Sequence, residues 1–236
     1  MVLRIILPIS AGCEVQSMAK NRTEDIRSAL ALYFIMGSVD CRGQQPEAVL
    51  AEAVSGGITM FQYREKGMAA LSGSARLRLG RQLQAICRDR HIPFIVNDDL
   101  ELAIALDADG IHVGQDDEPA SVIRKRLGAD KIVGVSAHTV EEAWEAVQDG
   151  ADYLGIGPIF PTSSKNDAKE ARGTSLLEEL RTLALPIPLV GIGGITIANA
   201  SSVLDAGADG ISLISAIAAA PSVSEAAAAF ARLVHR

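Results

Sequence analysis

A (β/α)8 barrel, an α/β fold in one domain, is the architecture this sequence predicts, and three observations predict it. Short apolar, β-rich runs alternate strictly with helical stretches, the pattern of a parallel sheet. Eight such runs fit between Leu32 and Ile214, whereas an open doubly wound sheet of about five or six strands would leave two unplaced. A weak internal repeat also recurs: Ala108-Asp109-Gly110-Ile111, Ala151-Asp152-Tyr153-Leu154 and Ala208-Asp209-Gly210-Ile211 each close a helix and begin a strand.

The strands are read in order as Leu32–Met36, Ile58–Tyr63, Phe94–Asn97, Gly110–Val113, Ile132–Ser136, Tyr153–Gly157, Leu189–Ile192 and Gly210–Ile214. Most are apolar on both sides, as a sheet covered on both faces requires. Pro46–Ser55 is a helix with proline at its first turn. Leu71–Arg90 places Leu77, Leu79, Leu83 and Ile86 near helical spacing. Leu100–Leu106 is a short helix between the third and fourth strands. Glu118–Leu127, Val140–Asp149, Ser175–Leu183, Ile197–Ala206 and Ser222–Val234 complete the alternation.

An apolar share of 48% supplies a core, and with aromatics at only 4% that core is expected to be aliphatic. The net charge of −7 argues against nucleic-acid or anionic-membrane binding, which needs a basic face. Cys13, Cys41 and Cys87 are far apart and show no CxxC spacing, which fits a reducing cytoplasm without structural disulfides. Residues 1–21 are read as a poorly ordered extension, with Met18 an alternative start, and 22–236 as the catalytic barrel. The run Ile5-Ile6-Leu7-Pro8 is too short for a signal h-region, and Ser10-Ala11-Gly12-Cys13 looks like a lipoprotein cleavage site without its leading Leu. No run of about 18 apolar residues offers a membrane span.

Barrel chemistry sits at the C-terminal ends of the strands, so the strand list yields a site list. Gln62-Tyr63-Arg64-Glu65-Lys66 follows the second strand. Arg64 and Lys66 are two apart on an extended segment and should share a side, where the pair can grip phosphate. A salt bridge to Glu65 is the plainer role for either. Asn97-Asp98-Asp99 and Gln115-Asp116-Asp117 end adjacent strands, so one carboxylate from each doublet can converge on Mg²⁺. The other member of each doublet is free to cap the next helix, and the residues alone do not choose between them. Gly193-Gly194 and Ser215-Ala216 sit where barrels bind phosphate through backbone N–H groups. His112 and His138 are either packed, hydrogen-bonded residues or substrate contacts. Thr162-Ser163-Ser164-Lys165 is hydroxyl-rich and ends in a cation, and Asn166–Arg172 continues either as a lid or as a solvated loop.

Taken together, Tyr33-Phe34-Ile35, QYREK (62–66), VNDD (96–99), GIHVGQDD (110–117), GVSAHT (134–139), DYLGIGPIFPTSSK (152–165), VGIGGI (190–195) and ISAI (214–217) closely resemble the thiamine phosphate synthases, from about residue 24 to the end. The resemblance implies a transferase that joins a hydroxymethylpyrimidine pyrophosphate to a thiazole phosphate, releasing pyrophosphate after ionisation of the C–O bond. It implies that Gln62, Tyr63, Arg64, Glu65, Lys66 and Asn97 form the pyrimidine pyrophosphate site, and that Asp98 and Asp117 hold Mg²⁺. Ser136 and Lys165 are implied to contact pyrophosphate, so that Arg64, Lys66, Ser136 and Lys165 carry the catalysis. Thr162, Ser163, Ser164, Gly194, Ile214 and Ser215 are implied to form the thiazole phosphate site. Ser164 departs from a pattern that often has Thr, but the hydroxyl is kept. A cytoplasmic enzyme with small-molecule partners, without nucleic acid or membrane, and able to self-associate, is the expectation. The competing readings are a thiazole tautomerase-like relative, which needs no metal or pyrophosphate set, and a non-catalytic barrel that senses thiamine precursors.

Overall fold

The computed structural model describes residues 21–162 and 170–235. Eight parallel strands close into a barrel in sequence order, β1 to β8. They are β1 (Leu32–Met36), β2 (Met60–Tyr63), β3 (Phe94–Asn97), β4 (Gly110–Val113), β5 (Ile132–Ala137), β6 (Tyr153–Ile156), β7 (Leu189–Ile192) and β8 (Gly210–Leu213). A helix over 21–29, α1, precedes them. The outer layer is α2 (Pro46–Ser55), α3 (Gly73–Arg88), α4 (Leu100–Leu106), α5 (Ala120–Leu127), α6 (Val140–Gln148), α7 (Ser175–Thr182), α8 (Ala200–Asp205), the short α9 (Ser215–Ala218) and α10 (Val223–Val234).

Boundaries differ from the sequence reading where side chains compete with the regular backbone. Helix α8 begins at Ala200, not Ile197, because Asn199 Oδ1 accepts the Thr196 N–H at 2.7 Å and holds 196–199 as a turn. Strand β2 begins at Met60 because Thr59 is occupied at its base, as described below. Helices α1 and α9 were not expected. Of residues 1–21, read as a poorly ordered extension, 1–20 lie outside the described residues and Asn21 opens α1.

Side chains alternate in and out along each strand. Outward positions pack under the helices, where Phe34, Phe61 and Phe94 form a chain of rings with centroids 5.8 Å apart. Inward positions Tyr33, Met60, Ile95, Tyr153 and Val190 fill the barrel, and Ile26 and Leu30 of α1 plug it from below. The core is therefore not purely aliphatic. All three tyrosines and three phenylalanines are fully buried, because the few large rings are placed where volume is most needed.

The sequence repeat marks three of four clamps at the base of the barrel. Asp109, Asp152 and Asp209 each accept a backbone N–H from the start of the preceding odd-numbered strand: Phe94 (2.8 Å), Val133 (2.8 Å) and Leu189 (2.7 Å). Thr59 Oγ1 does the same for Leu32 (2.8 Å). Each clamp joins an odd strand to the next even one. Two are reinforced by arginines: Asp152 pairs with Arg22 (3.2 Å) and Arg124 (2.6 Å), and Asp209 with Arg27 (2.8 Å) and Arg181. Asp152→Ala leaves the Val133 N–H without its acceptor and removes the counter-ion of two partly exposed arginines that keep carbonyl partners, so it is expected to cost about 1–3 kcal/mol. A thermal melt should show a drop of several degrees with no change in the active-site end.

Candidate active site

The C-terminal ends of the strands open onto one cavity of about 380 Å³. Alternation sorts the 62–66 segment. Gln62, Arg64 and Lys66 face inward, and Arg64 and Lys66 line the cavity. Gln62 is fully buried beneath it and donates from Nε2 to the Tyr33 hydroxyl at 2.7 Å. Tyr63 and Glu65 face the other way. The Tyr63 ring packs on Phe94, and its hydroxyl donates to the Arg76 carbonyl at 3.0 Å. Glu65 accepts from the Ser38 N–H (2.6 Å), the Ser38 hydroxyl (2.9 Å) and the Leu71 N–H (2.9 Å). Tyr63 and Glu65, expected to bind substrate, are thus placed outside the cavity lining: Tyr63 packs on Phe94, and Glu65 ties the β1 and β2 loops together.

Structure separates the acidic doublets that the residues alone left open. Asp99 caps α4, accepting the Leu102 N–H at 2.8 Å, and pairs with Arg76. Asp98 adopts a left-handed φ of +59°, rare for a residue with a Cβ, and this turns its carboxylate back into the cavity. There it meets Lys66 Nζ at 2.5 Å and lies within hydrogen-bonding reach of Asp117. Burial raises the Asp98 pKa, Lys66 opposes this, and the Asp117 charge adds to the rise. Asp117 is oriented by accepting the Gly114 N–H at 2.8 Å. Asp116 also borders the cavity but on its exposed rim.

Asn97 and Ser136 complete this wall. His138 lines it too, with Nδ1 3.0 Å from Glu142 and its carbonyl accepting from Arg172. The opposite wall carries Thr162, Gly193, Gly194, Ile214 and Ser215. Gly193 and Gly194 have φ of +98° and +62°, and a Cβ on Gly194 would stand 2.5 Å from the Pro161 carbonyl oxygen. Only glycine lets this turn present its backbone so closely. Ser215 opens α9. Ser163, Ser164 and Lys165 lie outside the described residues.

Sequence reasoning named Ser212 only as a polar end of the last strand and gave no role to the buried Tyr33 and Tyr153. Period-two alternation was the available signal, since Ser212 lies two before Ile214 on one strand. Among the described residues, no group of three or more His, Cys, Asp or Glu is positioned to hold a metal, and no helix is long and apolar enough to cross a membrane.

Comparison with known proteins agrees with this arrangement. Residues 32–217, more than half of the chain, match the family described as thiamine monophosphate synthase. A thiamine-phosphate synthase of Geobacillus kaustophilus is 59% identical over 218 residues, covering 92% of this chain and 97% of that protein. One from Bacillus cereus is 53% identical over 219 residues, covering 93% and 99%. Among solved structures, a thiamine phosphate pyrophosphorylase from Pyrococcus furiosus superposes with a TM-score of 0.78 at 35% identity, covering 89% of this chain and 98% of its own. The chain belongs to the thiamine monophosphate synthase family and is a transferase.

Proposed function

We propose that the chain joins hydroxymethylpyrimidine pyrophosphate to a thiazole phosphate, or to its carboxylate form, giving thiamine phosphate and pyrophosphate. The observation that carries this reading is a single cavity with two differently built walls. Arg64, Lys66, Asn97, Asp98, Asp117 and Ser136 form one, and the Gly193–Gly194 turn with Thr162, Ile214 and Ser215 forms the other. The first suits a pyrophosphate and the second a monophosphate.

Two carboxylates converging in a half-buried place, one with its pKa raised, fit Mg²⁺, which takes its remaining oxygen ligands from substrate phosphates and water. When bound, the cation would offset negative charge on the departing pyrophosphate. In the reaction the C–O bond to the pyrimidinylmethyl carbon breaks, pyrophosphate keeps the electron pair, and the thiazole nitrogen forms the new C–N bond. Arg64 and Lys66 hold the leaving group and stabilise charge as it develops. Asn97 and Ser136 orient it, and the glycine turn fixes the thiazole phosphate at the distance needed for attack. No side-chain nucleophile is required, and Cys41 and Cys87 suit none. Both are buried free thiols, with burial raising each pKa to about 12. Ser163, Ser164 and Lys165 are assigned to the phosphate groups from the family resemblance. A cytoplasmic setting agrees with these unpaired thiols. The set of Arg64, Lys66, Asp98 and Asp117 at one wall weighs against the tautomerase and sensor readings, which have no use for it.

The test is a coupling assay with both substrates and Mg²⁺, with and without EDTA, following thiamine phosphate by its oxidation to fluorescent thiochrome. Product that disappears with EDTA and returns with excess Mg²⁺ is expected. Absence of product, with thiazole carboxylate phosphate still isomerised, would move the chain to the tautomerase reading.

A further inference from the structure

A continuous file of polar side chains runs through the barrel interior from below the cavity to its wall. Gln62 Nε2 donates to the Tyr33 hydroxyl (2.7 Å), which lies 2.9 Å from the Tyr153 hydroxyl. The Tyr153 hydroxyl is 3.0 Å from His112 Nδ1, and His112 Nε2 is 2.9 Å from Ser136 Oγ. Gln62, Tyr33, Tyr153 and His112 are all buried, and of the five only His112 and Ser136 line the cavity.

Glycines make room for this file. A Cβ on Gly134 would stand 2.1 Å from Tyr153 Cζ and 2.4 Å from its hydroxyl oxygen, and one on Gly155 would stand 3.2 Å from His112 Cε1. The sheet thus leaves two side chains out so that two rings can lie across it.

Counting protons gives the file a direction. Burial raises the pKa of both tyrosines, so each is a neutral phenol with one proton to give. Tyr33, already receiving from Gln62, spends its proton on Tyr153. Tyr153 spends its own on His112 Nδ1. A neutral imidazole that accepts at Nδ1 carries its proton on Nε2. That proton is donated to Ser136, whose own hydroxyl hydrogen is left for the cavity. Reversed polarity would require the Gln62 carbonyl oxygen to face Tyr33. The amide nitrogen stands toward Tyr33 at 2.7 Å, and because amide N and O are told apart only by their hydrogen bonds, the His112 tautomer is the measurement that fixes the polarity.

We propose that Gln62, Tyr33, Tyr153 and His112 form a polarised hydrogen-bond relay that fixes His112 in its Nε2–H tautomer and thereby makes Ser136 a donor to an anionic group in the cavity. Tyr33 and Tyr153 are positioning residues that act through Ser136. The anionic ligand rests on the function proposed above, but the tautomer does not.

The first measurement is a long-range proton–nitrogen spectrum of the ¹⁵N-labelled protein without substrate, with the His112 signals identified by their loss in His112→Gln. A protonated Nε2 and an unprotonated Nδ1 are expected, whether or not the chain proves to be a synthase. A protonated Nδ1 would overturn the relay. The second is a double-mutant cycle. Tyr153→Phe is expected to release the fixed tautomer and lower kcat by about tenfold, yet by less than about twofold in a Ser136→Ala background. Equal losses in both backgrounds would mean that Tyr153 does not act through Ser136. Should Tyr153→Phe fail to fold, Tyr33→Phe breaks the same file one step earlier, and the spectrum of the unsubstituted protein decides the polarity by itself.

Discussion

Asp98→Ala is expected to lower kcat by about 10²-fold or more at millimolar Mg²⁺, while Asp99→Ala next to it keeps most of the activity. The two differ only in which way the backbone turns them. The left-handed φ of Asp98 sends its carboxylate to Lys66 and Asp117, whereas Asp99 caps α4 and binds Arg76. Loss of the Asp99 cap should instead appear as about 0.5–2 kcal/mol of stability in a denaturant melt. A pH series adds a second readout. Burial, with the Asp117 charge, raises the Asp98 pKa despite Lys66, so protons compete with the cation at a higher pH than at an ordinary aspartate. Apparent Mg²⁺ affinity should therefore fall as pH drops through that raised value, by up to about tenfold per pH unit. Added Mg²⁺ should shift the acid limb of activity to lower pH. Near-normal turnover in Asp98→Ala, or an acid limb indifferent to Mg²⁺, would remove the metal assignment.

Arg64→Ala should cost about 10²–10³-fold in kcat, and Arg64→Lys about tenfold. Arg64 is 7% exposed, and its backbone N–H is bonded to the Met36 carbonyl at 3.0 Å. Its backbone is anchored at the cavity wall, and its planar fork suits two phosphate oxygens in a way that a lysine ammonium does not. On the proposed mechanism the charge it meets grows as the C–O bond breaks, so kcat should fall more than KM rises. Steady-state kinetics on both substrates checks this. A change confined to KM would assign Arg64 to ground-state binding alone.

The strand order and all eight strands, four of them with both boundaries, were legible because each unit carries its own punctuation: an apolar run, a polar rim and a helical stretch. The repeat Ala-Asp at the base of three strands was visible too, but its meaning was not. A turn is what the local sequence shows, and only the closed barrel reveals that Asp109, Asp152 and Asp209 bond to the strand before, with Thr59 in the fourth place. At the rim, alternation divides the QYREK motif, carrying Tyr63 and Glu65 to the far side of the strand from Arg64 and Lys66.

The sequence by itself determined the (β/α)8 class, the rim at which chemistry gathers, and the residue types that gather there. These depend on period, punctuation and order along the chain, all of them local. Tertiary structure alone decided that Asp98 and Asp117 approach one another while Asp99 turns away and Asp116 stays on the rim, that scarce aromatics form much of the core, and that Tyr33, Tyr153 and His112 join Gln62 to Ser136. Each of these rests on contacts between strands distant in sequence, or on a single backbone dihedral. Closure of the barrel fixes both, and no short stretch of residues encodes either.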